Sequence, residues 1–309
     1  MKRKSEINRR QFIALGGVLF SGLVSQGMQT AQAANQIRSR IPRTGEQIPV
    51  IGMGTSRTFE YGHDADMLKQ LQQVMQTFFD MGGGMIDSSP MYGSAQQVIG
   101  ELLPKIKGTK NLFAATKVWI DGKEDGIEQM EESRRLWGIK RFDLMQIHNL
   151  VDWQTHLETL KEMKANGKIR YIGITTSHGR FHYELSRILK QHDFDFLQLT
   201  YNIGNRDVEK PLLGIAQDRG IAVIVNRPYQ RGSLFRQVKG KSLPSWAKDF
   251  NCESWGQFFL KYAVSHPAVT CAIPATTKVK HMKDNMMAGQ GRLPTAQERV
   301  KMQKYFESL

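Results

Sequence analysis

Phe142-Asp-Leu-Met-Gln-Ile-His148 is followed by Asp152-Trp-Gln-Thr-His-Leu-Glu-Thr-Leu-Lys-Glu-Met-Lys-Ala165, then Asn166-Gly167, then Tyr171-Ile-Gly-Ile-Thr175. The first and last runs are short and apolar on both alternating faces, the pattern of strands buried on both sides. Between them Leu157, Leu160 and Met163 recur at helical spacing. Asn166-Gly167 then supplies the left-handed residue that ends a helix. Strand, helix, glycine stop and strand make one β/α/β unit of a parallel sheet.

The same unit repeats outward in both directions. Further strand-like runs stand at Val50–Gly54, Met85–Ser88, Leu112–Val118, Phe196–Tyr201, Ile221–Asn226 and Val269–Pro274. Helical periods fill Ala65–Met81, with Leu68, Leu71, Val74, Met75, Phe78 and Phe79 on one face, and then Ala95–Leu103, Gly126–Trp137, Phe181–Leu189 and Val208–Asp218. Met81-Gly82 and Arg219-Gly220 repeat the glycine stop. Counting Phe142–His148 and Tyr171–Thr175 brings the strands to eight, the number that closes a (β/α)8 TIM barrel. An open doubly wound sheet would need a glycine-rich phosphate turn after its first strand. Gly52-Met53-Gly54-Thr55 lacks the third glycine. Ile37 to Pro49 reads as an N-terminal β-hairpin. No linker or repeat divides the chain, so residues 34–309 are expected to be a single domain. The non-periodic stretch Tyr229 to Phe250 follows the seventh strand and is expected to lie over the catalytic face as a lid.

The N-terminus has a different composition. Met1 to Arg10 holds five basic residues and one acid, and no charge follows from Gln11 to Ile37. The apolar core Phe12–Val24 is 13 residues with three glycines, short of the ~20 that span a bilayer, so no stable membrane anchor is expected. Arg9-Arg10 before this core and Ala31-Gln32-Ala33 after it make residues 1–33 a twin-arginine signal peptide. The expected partner is the twin-arginine export machinery, with cleavage near Ala33 and a periplasmic location. A basic amphipathic tail on a cytosolic protein is the weaker alternative.

The net charge is +14, falling to +10 without the signal. The excess is scattered, with no stripe or interleaved aromatics, so it points to anionic small ligands and no nucleic acid. Cys252 and Cys271 show no metal-binding spacing, and buried free thiols are the default; no metal site is expected. Nothing suggests an exposed apolar patch, which makes a monomer the default.

In a (β/α)8 barrel, chemistry sits at the carboxyl ends of the strands. Those ends carry Asp87, Lys117 and His148, with Tyr92 in the loop beyond Asp87. Together they suit carbonyl chemistry. A phenol can give a proton to an alkoxide, but its ordinary pKa near 10 is high for that work. An ammonium beside it would lower that pKa, a carboxylate would hold the ammonium, and an imidazole would hydrogen-bond the carbonyl oxygen. Trp119, on the same rim, is a candidate wall of the substrate pocket. Trp153 follows the fourth strand. His63 and His178, in strand-end loops, read as surface histidines.

Asp87-Ser-Ser-Pro-Met-Tyr92-Gly93, Ala115-Thr-Lys117 and Gln146-Ile-His148-Asn149 resemble the catalytic region of the aldo-keto reductases. The resemblance runs from the hairpin to about Ala288. It implies an oxidoreductase that interconverts an aldehyde or ketone and the alcohol, with Asp87, Tyr92, Lys117 and His148 as its tetrad. It further implies a nicotinamide cofactor. Thr175-Thr176 stand where the family has a Ser-Asn pair on the carboxamide, and Gln198 matches a carboxamide-binding glutamine. Asn226 replaces a ring-stacking tyrosine. Arg231 and Ser233 match a pyrophosphate-covering segment. Thr276, Thr277, Lys278, Asp284 and Asn285 match the adenosine-phosphate segment. Two basic positions of NADP-preferring members are Ala275 and His281 here, and the hydroxyls and Lys278 still favour NADP(H) over NAD(H). The competing function is a cofactor-binding barrel that serves as a non-catalytic regulatory or redox-sensing partner.

Overall fold

A computed structural model describes residues 36–62, 64–177 and 179–309. The expected signal peptide (residues 1–33), His63 and His178 lie outside the described residues. The first elements are β1 (Arg38–Arg40) and β2 (Gln47–Pro49), antiparallel with Arg38 opposite Pro49. They form the expected hairpin.

Eight strands follow: β3 (Met53–Gly54), β4 (Met85–Asp87), β5 (Phe113–Val118), β6 (Phe142–His148), β7 (Ile169–Thr175), β8 (Phe196–Thr200), β9 (Ala222–Asn226) and β10 (Val269–Ala272). Each lies parallel to the next. The ring closes where Ile51 pairs in parallel with Ala272. There the Gly52 N–H donates to Ala272 O at 2.8 Å, and the Ala272 N–H to Val50 O at 2.9 Å. The first strand is therefore shorter than the run Val50–Gly54, because the closing contact is a single bridge rather than a full ladder.

The barrel interior is filled by Met85, Phe113, Leu144, Tyr171, Phe196 and Ile224 among others, and Ile41 and Ile48 of the hairpin join this cluster. The hairpin thus closes the amino-terminal end. Its Glu46 accepts hydrogen bonds from the Tyr171 hydroxyl at 2.6 Å and from Arg170. A larger apolar cluster lies between the strands and the outer helices.

Those helices are α1 (Ala65–Asp80), α2 (Ala95–Leu102), α3 (Lys123–Trp137), α4 (Trp153–Ala165), α5 (His182–Gln191), α6 (Gly214–Asp218), α7 (Ser233–Gln237), α8 (Trp255–Val264), α9 (Val279–Met287) and α10 (Ala296–Glu307). On α1, Leu71, Val74, Met75, Phe78 and Phe79 are buried, and Asp64 caps its first turn. Periodicity does not mark α8, because every residue from Gly256 to Val264 is buried and no polar stripe remains. The run Val208–Asp218 divides into a π turn, Glu209–Leu213, and α6. The stretch Tyr229–Phe250 is not a plain loop: it holds the turn Gln230–Gly232, α7 and the 3-10 helix Ser245–Phe250. Trp246 anchors it, with ring centroids 6.0 Å from Phe258 and 5.8 Å from Tyr305. Cys252 and Cys271 are both free and buried.

Candidate active site at the barrel mouth

Parallel pairing brings the polar strand ends to one level. Asp87 ends β4, Lys117 lies one residue before the end of β5, and His148 ends β6 opposite Thr175. The Lys117 ammonium is wholly buried and donates to Asp87 Oδ2 at 2.5 Å and to Ser88 O at 2.7 Å. It lies 5.2 Å from the centre of the Tyr92 ring. Tyr92 and His148 meet edge-on, their ring centres 6.1 Å apart. The four candidates form one cluster.

Its electrostatics correct one expectation. Burial pushes the Tyr92 phenol above its ordinary 10.0, and Asp87 adds to that; Lys117 pulls the other way and does not overcome burial. Burial alone would depress Lys117, but Asp87 and Tyr92 outweigh it and keep the ammonium above its ordinary 10.5. Here the ammonium partly offsets the cost of a buried phenolate; it does not create one at neutral pH.

Three contributors went unassigned in the sequence reading. Gln146 donates to Asp87 Oδ1 at 2.8 Å. Its signal was a polar residue inside an apolar strand, two positions before His148 and on the same face. Ser89 lies 2.9 Å from His148 Nδ1. Arg227, directly after β9, holds a left-handed backbone (φ 49°) and donates to Ser177 O at 2.9 Å. Burial lowers its pKa, as do Arg231 and Arg57, while Tyr92 raises it. Six other non-glycine residues with positive φ, among them Asn149, Leu150 and Gln230, also lie within five residues of a strand's carboxyl end. Such strain collects where surrounding structure imposes it, commonly at functional sites.

The nicotinamide candidates join the same network. Gln198 Nε2 donates to Asp87 Oδ1 at 2.9 Å, so its amide nitrogen is committed inward. Its Oε1 faces Thr175 Oγ1 at 3.5 Å and Asn226 Nδ2 at 3.4 Å. Asn226 Oδ1 accepts from Thr200 at 2.7 Å, and Thr176 is fully buried beside them. Arg231 and Arg227 line a cavity of about 180 Å³ with His182, Thr200 and Gln230. Ser233 instead turns its hydroxyl to Gln230 O at 2.8 Å.

The adenosine-side candidates are more dispersed. Thr276 is buried and accepts from the Lys278 N–H at 3.0 Å. Thr277 O accepts from Gln70 at 2.6 Å, and Lys278 is exposed at the start of α9. Asp284 accepts from Ser254 and Gln257, each at 2.8 Å. Asn285 accepts from the Tyr229 hydroxyl at 2.5 Å, while its Nδ2 is buried without a partner. Trp119 is 41% exposed, its ring 6.3 Å from His148, and so it stands at the mouth. Trp153 packs on His192 at 5.0 Å, away from it. No cluster of three His, Cys, Asp or Glu among the described residues could hold a metal. No helix among them is long and apolar enough to cross a membrane.

A closed (β/α)8 barrel with phenol, ammonium, carboxylate and imidazole at its carboxyl face has the architecture of an acid–base enzyme. The sequence model of the aldo/keto reductase family matches residues 50–300, and the chain belongs to that family. It is 25% identical over 258 residues to the methylglyoxal reductase YeaE of Escherichia coli, covering 81% of this chain and 88% of that one. It is 23% identical over 300 residues to the aldo-keto reductase yakc [NADP(+)] of Schizosaccharomyces pombe, covering 81% and 86%. An aldo/keto reductase of Klebsiella pneumoniae, solved with NADP and acetate, superposes with a TM-score of 0.73 at 22% identity, over 88% of this chain and 95% of that one.

Proposed function

We propose that this protein is an exported oxidoreductase that interconverts an aldehyde or ketone with its alcohol, using NADP(H) and Tyr92 as the acid or base. The observation that carries the chemistry is the buried Lys117 ammonium, held by Asp87 and Ser88 beside the Tyr92 ring. A structural lysine would not need a phenol at its open side.

The donor set fits a dinucleotide. Hydroxyls and amides of Thr175, Thr176, Gln198 and Asn226 gather at one end, two guanidinium groups line the cavity, and the orphaned Asn285 Nδ2 marks the far segment. Thr276, Thr277 and Lys278 are the groups for a 2′-phosphate, and NADP in the names of two relatives supports that choice. When bound, the reduced cofactor supplies the hydride that adds to the carbonyl carbon. The oxygen takes the Tyr92 proton, and the phenolate left behind is stabilised by Lys117. His148 hydrogen-bonds the same oxygen. A barrel without turnover finds no support, since it would have no use for a buried charge pair under a phenol.

The export part of the reading rests on Arg9-Arg10, Phe12–Val24 and Ala31-Gln32-Ala33. Folded export lets the cofactor be loaded before crossing. The test is to purify the protein from periplasm, denature it, assay the supernatant for NADP(H), and run an aldehyde panel with NADPH. Turnover is expected. No turnover of any aldehyde overturns the reductase reading; a protein found only in the cytoplasm overturns export.

A further inference from the structure

Polarising a carbonyl oxygen requires an N–H on the imidazole edge that meets it, and a neutral imidazole carries only one. Which nitrogen carries it is set by the hydrogen bond made at the other. His148 Nδ1 lies 2.9 Å from Ser89 Oγ, and both side chains are buried. Two backbone contacts hold Ser89 in place. The Met91 N–H donates to Ser89 Oγ at 3.4 Å, and the Tyr92 N–H donates to Ser89 O at 3.1 Å. The first is a serine turn that occupies a lone pair of the hydroxyl oxygen. That turn uses one of the hydroxyl's two lone pairs and keeps its proton available to Nδ1.

We propose that Ser89 is a positioning residue whose hydroxyl donates to Nδ1 of His148 and fixes the neutral Nε2–H tautomer. The inference rests on the reductase reading and adds to it the residue that sets the imidazole's tautomer. His148 then donates a hydrogen bond to the substrate oxygen and keeps its proton, and Tyr92 alone gives one up. The turn Ser89–Tyr92 therefore delivers both the proton donor and the residue that sets the imidazole.

The direct test is nitrogen-15 spectroscopy of the labelled full chain, with the His148 signals assigned by their loss in His148→Gln. A protonated Nε2 and a pyridine-type Nδ1 are expected at neutral pH. A protonated Nδ1, alone or in an imidazolium, overturns the proposal. In kinetics, Ser89→Ala is expected to lower kcat/KM for a neutral aldehyde about fivefold, with NADPH affinity unchanged and Ser89→Thr restoring the rate. A Ser89→Ala protein with unchanged tautomer and unchanged kcat/KM also overturns it. The spectra need no turnover. An Nε2–H imidazole in a protein that reduces no carbonyl upholds the Ser89 assignment and sinks the reductase reading instead.

Discussion

At the scale of the residue, the governing fact is that Tyr92 keeps its proton. Reduction needs the protonated phenol, whose pKa lies above 10.0 through burial. The reduction rate is therefore expected to stay level through neutral pH and fall only above pH 10, while alcohol oxidation, which needs the phenolate, climbs throughout. Rate profiles in both directions check this; a reduction midpoint below about pH 9 contradicts it. Tyr92→Phe is expected to cost about 100-fold or more in kcat with NADPH binding retained, and unchanged kcat overturns the assignment of the acid. The identities of Asp87, Tyr92, Lys117 and His148 were legible because each stands at or just beyond a strand end. The direction of the Tyr92 shift was not, because it is a contest between burial and charge that only the packed site decides.

At the scale of the element, the strands and the amphipathic helices α1 to α5 were legible, whereas α8, without a polar stripe, and the C-terminal helices α9 and α10 were not. α8 is buried all round and α6 is a remnant beside a π turn. α10 carries a capping box: Thr295 Oγ1 accepts from the Glu298 N–H at 3.2 Å, and Glu298 accepts from the Thr295 N–H at 2.8 Å. Thr295→Ala is expected to cost about 1 kcal/mol in unfolding free energy. Arg292 first, and the cap after it, hold Glu298 down at about 2, below its ordinary 4.5. A depressed carboxyl stabilises the fold above its unfolded pKa. That contribution is present above pH 4.5 and disappears as pH falls toward 2. Urea titrations of the native protein and Glu298→Gln should differ at neutral pH and converge in acid. A constant difference down to pH 2 would remove Glu298 from the account.

At the scale of the whole molecule, both cysteines lie inside the barrel assembly. Burial pushes the Cys252 thiol up to about 12 and Cys271 higher still. A thiol reagent is expected to find no reactive group in the native protein and two after denaturation, with the same melting temperature whether or not a reductant is present. A reductant-dependent melting temperature would contradict free thiols. The sequence by itself determined the alternation of strand and helix, the hairpin, the order of the four candidate catalytic groups and their place at the strand ends. Those follow from local periods, which depend on near neighbours. Only the tertiary structure decided that Gln198, 111 residues away, joins Gln146 on Asp87. It also decided that Asp284 and Asn285 pair within the protein and that Tyr92 holds its proton. These outcomes depend on which distant groups share a dry volume, because burial and Coulomb energies act across space and leave no periodic trace along the chain.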